Sequence, residues 1–438
     1  MPSTDVPELA ALGARQAAHA IRDGRLSPVA LVEACLARIK ALDGELRAWV
    51  HLDEAGALAW AREREAEAQA KRFAGSLHGV PVGIKDIIDV AGMPTTAGAR
   101  SWAHRRPTTD ATCVSRLRAA GAIVLGKTAT TEFAYRDPAP TRNPWNRGHT
   151  PGGSSAGSGA AVSSGMVPLA LGSQTVGSVL RPAAYCGVVG FKSTHGLVPV
   201  DGVVPLAWSL DHVGVFARAV EDVALALGVL AARELETAAV SRPRLALAPE
   251  ALAAAAPDMA AHVQAVADRF VAAGAEIVPV TLPPSYAAGR EAGAIVLEVE
   301  AAAYHEESFG AHGGEYGPEI RALVQSGLKR GATEYARANR HRLAFRDEIM
   351  PLLAAHDALI MPTAPGPAPA GLASTGDGSF CAPWSNAGVP AITLPSGLAS
   401  SGLPYAIQLV QATGASTRRL GVAAWCERVL NFTARPPL

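Results

Sequence analysis

Thr150-Pro-Gly-Gly-Ser-Ser-Ala-Gly-Ser-Gly-Ala-Ala-Val-Ser-Ser-Gly165 is the stretch whose reading decides the rest of this chain. Glycine and serine at this density give up side-chain packing for backbone freedom and hydroxyl groups, which suits either a linker or a chemical site. A linker is polar on both flanks, whereas this one runs straight into the apolar Met166-Val-Pro-Leu-Ala-Leu171. A site is the better reading. A second hydroxyl-bearing turn, Gly172-Ser-Gln-Thr-Val-Gly-Ser178, follows and again meets apolar residues, Val179-Leu180, with Arg181-Pro182 behind them. Two such turns close together point to nucleophilic catalysis.

Outward from this block, short β-branched runs alternate with helical stretches and glycine turns from Gly79 to about Phe216. The runs Val80–Ile84, Ala122–Leu125 and Val188–Phe191 read as strands, and Thr112–Ala120 as a helix feeding the second of them. Residues 1–75 read as helices. Ser27 and Pro28 sit at a cap and first turn, one apolar face runs from Leu31 to Leu42, Gly44 marks the end, and a more solvent-facing helix follows over Asp53–Arg72. Residues 231–355 carry alanine-rich helices with a strand pair at Arg244–Ala248 and Ala275–Val280. Residues 356–438 return to strands at Ala358–Met361, Ala391–Leu394 and Tyr405–Val410, then a helix after Ser416. With no repeat and no low-complexity linker, 76–230 and 356–438 are expected to form one α/β core, with 1–75 packed on it and 231–355 as a variable insert in a single domain.

Composition excludes several functions. Of 438 residues, 49% are hydrophobic and 18% charged, a balance that buries a core and is foreign to disordered chains. The 39 basic and 39 acidic residues cancel, leaving no global field for nucleic acid or an anionic membrane. No apolar run reaches a membrane span, and the N-terminal residues lack a signal-peptide pattern, so a cytoplasmic protein is expected. Cys35, Cys113, Cys186, Cys381 and Cys426 are scattered and form no C-x-x-C pair, which suggests neither a disulfide framework nor a zinc site. Only six of the 39 basic residues are lysines. A lysine in an apolar setting therefore raises the question of what an ammonium does that a guanidinium cannot, and one answer is to lose its proton.

Three motifs compete for the chemistry. Gly121-Ala-Ile-Val-Leu-Gly-Lys-Thr128 fits the phosphate-loop pattern, but its variable residues are themselves a strand, whereas a phosphate loop follows its strand. Gly153-Ser-Ser-Ala-Gly157 fits the α/β-hydrolase elbow with Ser155 as nucleophile, and would need an acid and a histidine downstream. The third combination uses no histidine. Lys85 closes the apolar run in Gly79-Val-Pro-Val-Gly-Ile-Lys-Asp-Ile-Ile-Asp89, where burial would turn its amine into a base. A structural pairing of Lys85 with Asp86 or Asp89 stays open beside that reading.

Lys85 in its G-I-K-D-I-I-D context, the P-G-G-S-S-A-G-S-G block, and Gly177-Ser178 followed by V-L-R-P-A-A-Y-C-G resemble the amidase signature family, with Ser154 and Ser178 at the family's spacing of 24 residues. The resemblance spans residues 10–230 and, through Trp384-Ser-Asn-Ala-Gly-Val-Pro390, about 355–425. It implies a large mixed β-sheet flanked on both sides by helices. It implies Ser178 as acylated nucleophile, Ser154 as the bridging serine with a cis peptide, Lys85 as the base, and the N–H groups of Thr175, Val176, Gly177 and Ser178 as an oxyanion loop. No metal or organic cofactor is implied, and the substrate would be a small amide, anilide, carbamate or ester. Gln174, Val176 and Arg181, three residues after Ser178, depart from the commoner pattern and are most similar to a malonamidase-like branch. Arg181 would grip a substrate carboxylate or brace the loop, with Gly153 and Trp208 as further substrate contacts. Pocket walls are expected from 130–150, 205–210, 285–345 and 365–383. Two assemblies stay open: a homodimer, or one subunit of a partner-dependent amidotransferase.

Overall fold

The computed structural model describes residues 9–438 apart from Ala415; Met1–Glu8, which belong to the N-terminal stretch read for a signal-peptide pattern, lie outside the described residues. Eleven strands form one sheet: β1 (Trp49–Leu52), β2 (Pro81–Lys85), β3 (Ile123–Thr128), β4 (Leu169–Gln174), β5 (Val189–Lys192), β6 (His212–Ala217), β7 (Arg244–Leu247), β8 (Glu276–Pro279), β9 (Ala358–Pro362), β10 (Ala391–Leu398) and β11 (Pro404–Val410). Their order is β1-β3-β2-β4-β6-β5-β10-β11-β9-β7-β8. Parallel pairs β3/β2/β4 and β8/β7/β9 flank antiparallel ones, so the sheet is mixed and helices cover it. Strands from all four sequence stretches share it.

The helices that matter for the site are α1 (Pro28–Leu46), α2 (Ala156–Ser163), α3 (Leu180–Cys186), α4 (Val220–Leu230), α5 (Ser285–His312), α6 (Pro318–Gly327), α7 (Ala332–Ala354) and α8 (Ala382–Asn386). Ser27 caps α1 as its position implies, its hydroxyl accepting from Ala30 N at 3.1 Å. Gly44, read as the end, lies inside the helix instead. The chain turns only at Arg47, whose φ of 52° is left-handed; an exposed helical glycine costs only about 1 kcal/mol, too little to stop a helix that packs elsewhere. β1 is a further correction to the all-helical reading of residues 1–75, since four residues with one buried side chain give almost no local strand signal.

The Gly/Ser block is the most informative difference. The reading of backbone freedom fails there, because all eight residues of α2 are buried. A Cβ on Gly157 would stand 2.2 Å from the Ala48 carbonyl oxygen and 2.3 Å from Ala129 N. Glycine here permits close backbone packing, so the helix sits hard against the strand layer. Gly121–Thr128 is β3 and its approach, as expected, and the Lys127 ammonium is buried 3.2 Å from Asp86. That pairing accounts for the phosphate-loop lysine structurally.

Candidate active site

β2 delivers Lys85 at its C-terminal end. The parallel register Ile84 with Leu171 sets Lys85 level with the start of Gly172–Ser173 on β4. The Lys85 Nζ lies 2.6 Å from Ser154 Oγ and 2.8 Å from Ser173 Oγ, all of them buried. The bland pairing is excluded, because Asp86 faces Lys127 and Asp89 forms a two-pronged ion pair with Arg105. Lys85 forms no ion pair among the described residues. Burial therefore holds its amine well below the ordinary lysine range, and the buried Asp211 carboxylate offsets only part of that.

Ser154 sits between two clamps. The Gly153–Ser154 peptide is cis, and the Ser154 carbonyl accepts from Thr131 N and Ala156 N. Ser155, the elbow candidate, faces the other way. Its fully buried hydroxyl donates to the Ser173 carbonyl at 3.2 Å, and no histidine bonds to it among the described residues. The Ser155–histidine reading has no geometric basis.

Between β4 and α3 the chain passes through Thr175–Ser178. Gln174 anchors this loop twice. Its Oε1 accepts from Val179 N and Leu180 N at 2.9 Å, and its amide donates to Ser385 Oγ, which donates to the Val176 carbonyl. Val176 is not left-handed, so its β-branched side chain carries no backbone strain. The N–H groups of Val176, Gly177 and Ser178 find no acceptor among the described residues, and Thr175, Val176, Ser178 and Arg181 line the floor of a cavity of about 720 Å³. All four expected wall segments contribute to it, including Tyr135, Leu206, Gly293 and Asp377. Ser178, 7% exposed, lies on that floor.

The substrate-contact expectations fare differently. Arg181 lines the cavity, but its guanidinium donates to the Gly153 carbonyl at 2.6 Å, the Gly376 carbonyl at 2.9 Å and Thr375 Oγ1 at 3.1 Å. It braces the two sides of the site, and no carboxylate pairs with it among the described residues. Gly153 is a packing position instead of a contact, since a Cβ there would meet Thr375 at 2.6 Å. Trp208 is corrected outright, being 47% exposed and absent from the cavity lining. Ser173, Ser385 and Asp211 were not foreseen as site residues. Only the hydroxyl-rich character of 172–178 hinted at the first.

The Amidase family matches the chain over residues 30–417. The chain belongs to the amidase family. Family membership makes it a hydrolase acting on carbon–nitrogen bonds. A relative from Roseiflexus castenholzii, one of the subunits of its glutamyl-tRNA(Gln) amidotransferase, is 34% identical over 474 residues, covering 96% of each chain. A crystal structure of an amidase superposes with a TM-score of 0.89 at 32% identity, covering 95% of this chain and 99% of that one. The peptide amidase of Stenotrophomonas maltophilia gives 0.85 at 30% identity, with 99% of both chains covered. The family fold accounts for one large mixed sheet, and no described helix is long and apolar enough to cross a membrane.

Proposed function

We propose that this protein is a cytoplasmic amidase that cleaves a small amide through a seryl acyl-enzyme, with Ser178 as nucleophile, Ser154 as relay and Lys85 as base. The observation that carries the reading is the fully buried Lys85 Nζ, 2.6 Å from Ser154 Oγ and without a carboxylate partner among the described residues, beneath a cavity whose floor carries Ser178. A neutral amine keeps two N–H groups and one lone pair. Ser173 takes one N–H, which leaves the lone pair to receive the Ser154 proton as Ser154 takes that of Ser178. Ser178 Oγ then bonds the carbonyl carbon, and the negative charge that develops on the carbonyl oxygen meets the free N–H groups of the 175–178 loop. Collapse breaks the C–N bond while the relay returns the proton to the nitrogen, because an amine anion is a very poor leaving group. Water repeats the cycle on the ester.

Arg181 gives the pocket its chemical preference. Its three hydrogen-bond acceptors are neutral and no carboxylate pairs with it directly among the described residues, the nearby Asp377 offsetting its charge only at a distance, so this buried cation favours amides whose acyl group ends in a carboxylate, in keeping with the malonamidase-like branch. The test is a panel of amides, anilides and carbamates with and without a terminal carboxylate. The carboxylate forms should show kcat/KM at least about tenfold higher, a preference that Arg181→Met removes; equal rates across the pairs would refute it. A partner-dependent amidotransferase role is the second reading, supported by the likeness to the Roseiflexus amidotransferase component over nearly the whole chain. Hydrolysis of a simple amide by the purified chain alone decides against it.

A further inference from the structure

Asp211 is a buried carboxylate that takes no step in the reaction scheme, although its charge bears on Lys85. It sits immediately before β6 and forms no ion pair among the described residues. One oxygen accepts the Thr175 hydroxyl; the other accepts Leu206 N at 2.9 Å and Ala207 N at 3.0 Å. Thr175 opens the loop that ends at Ser178, and Leu206 and Leu210 form part of the cavity wall. The same short wall is held from outside: Glu300 on α5 accepts Ser209 N at 2.8 Å, and Arg342 on α7 donates to the Ser209 carbonyl at 2.7 Å.

We infer that Asp211 is a positioning residue for the oxyanion loop: through the Thr175 hydroxyl it fixes the loop's height against the 206–210 wall. This rests on the proposed role of Ser178 and the loop N–H groups. Donors aimed at a developing oxyanion act only if they are already in place, and displacement by a fraction of an ångström weakens them. Other supports hold different points of the loop: Gln174 holds residues 179 and 180 just beyond it, and Ser385 holds the Val176 carbonyl. The Asp211–Thr175 contact is the tie made by the loop's first side chain, beside the His212 ring nitrogen 3.2 Å from the Gln174 carbonyl.

The test is the rate at which Ser178 is phosphonylated by a simple alkyl fluorophosphonate, located by mass spectrometry, together with inhibition by phenylboronic acid. Neither probe requires the natural substrate. Thr175→Val keeps the shape and removes the hydroxyl, Thr175→Ser restores it, and Asp211→Asn alters the acceptor. Thr175→Val and Asp211→Asn should each lower the phosphonylation rate and the boronate affinity about tenfold or more, with Thr175→Ser within about threefold of the natural protein. On the best amide of the panel the loss should fall on kcat with KM little changed. If Asp211→Asn does not fold, Thr175→Val alone judges the matter. Folded Thr175→Val reacting at the natural rate overturns the inference while the serine assignment stands. Labelling that persists undiminished in Ser178→Ala overturns the serine assignment instead.

Discussion

The floor of the cavity and its helical wall are built on opposite plans. Arg181 on the floor and Lys85, Ser154 and Ser173 beneath it are buried, and each is tied to strand, loop or helix by at least one short hydrogen bond. The wall from α5 and α6 presents Gly289, Gly293 and the exposed Arg290 and Glu319, and of the 28 residues of α5 only eight are buried. Chemistry that depends on sub-ångström placement is held by packing that tolerates little change. Recognition is left to a surface that can vary without disturbing it.

Ser178→Ala and Lys85→Met should break the floor most severely. Turnover of the best amide should fall about 10⁵-fold for the serine and 10²- to 10⁴-fold or more for the lysine, with folding retained by circular dichroism. Lys85 also sets a pH trend. Its folded pKa lies well below the ordinary value of 10.5, so between the two values the unfolded chain binds a proton that the folded protein does not. Natural stability therefore rises with pH across that window, and kcat/KM falls on its acid side as the amine becomes charged. Lys85→Met lacks this cost. Its unpaired Ser154 and Ser173 add a penalty that does not depend on pH, so its Tm relative to the natural protein should be most favourable on the acid side of the window and decline toward pH 10.5. A difference in Tm that is flat with pH would mean that Lys85 is buried charged.

A stability effect comes next. Gly157→Ala drives a methyl group to 2.2 Å from the Ala48 carbonyl, in a helix with no exposed face to yield. It should cost about 3 kcal/mol or more in urea unfolding. On the wall, Gly293→Ala meets Asn386 at a tolerable 3.4 Å. It should change KM severalfold among substrates of different size and leave Ser178 phosphonylation unaltered. A loss of labelling there would mean that floor and wall are not separable.

How much was readable follows the same division. The floor is written in local chemistry: two hydroxyl turns, one lysine closing an apolar run, and the strand signals at Ala358–Met361 and Tyr405–Val410, which fall within one residue of β9 and β11. Asp211 was invisible because its partners, Leu206, Ala207 and Thr175, take its oxygens by backbone and hydroxyl contacts that no spacing announces. β1 was missed because its strand character comes from pairing with β3, some 75 residues away. Trp208 was assigned to the pocket by its neighbourhood in sequence, and the chain there turns so that Leu206 and Leu210 face in and the indole faces out. The wall helices could be named as helices, but the side each turns to the cavity depends on contacts with α8 that only the fold supplies, such as Asn386 Nδ2 to the Gly289 carbonyl at 3.0 Å.

The smallest effect sharpens the comparison from the permissive side. Gly310 lies near the end of α5, exposed, with no atom within 4 Å of where a Cβ would stand and with no left-handed φ to require glycine. Alanine there removes backbone freedom from the unfolded chain and gains helix propensity without meeting anything. Gly310→Ala should therefore raise stability by about 0.5–1 kcal/mol, read as a higher urea midpoint at unchanged slope. Turnover and substrate preference should stay as they were. A destabilised Gly310→Ala would show that the end of α5 packs more closely than its open surroundings imply.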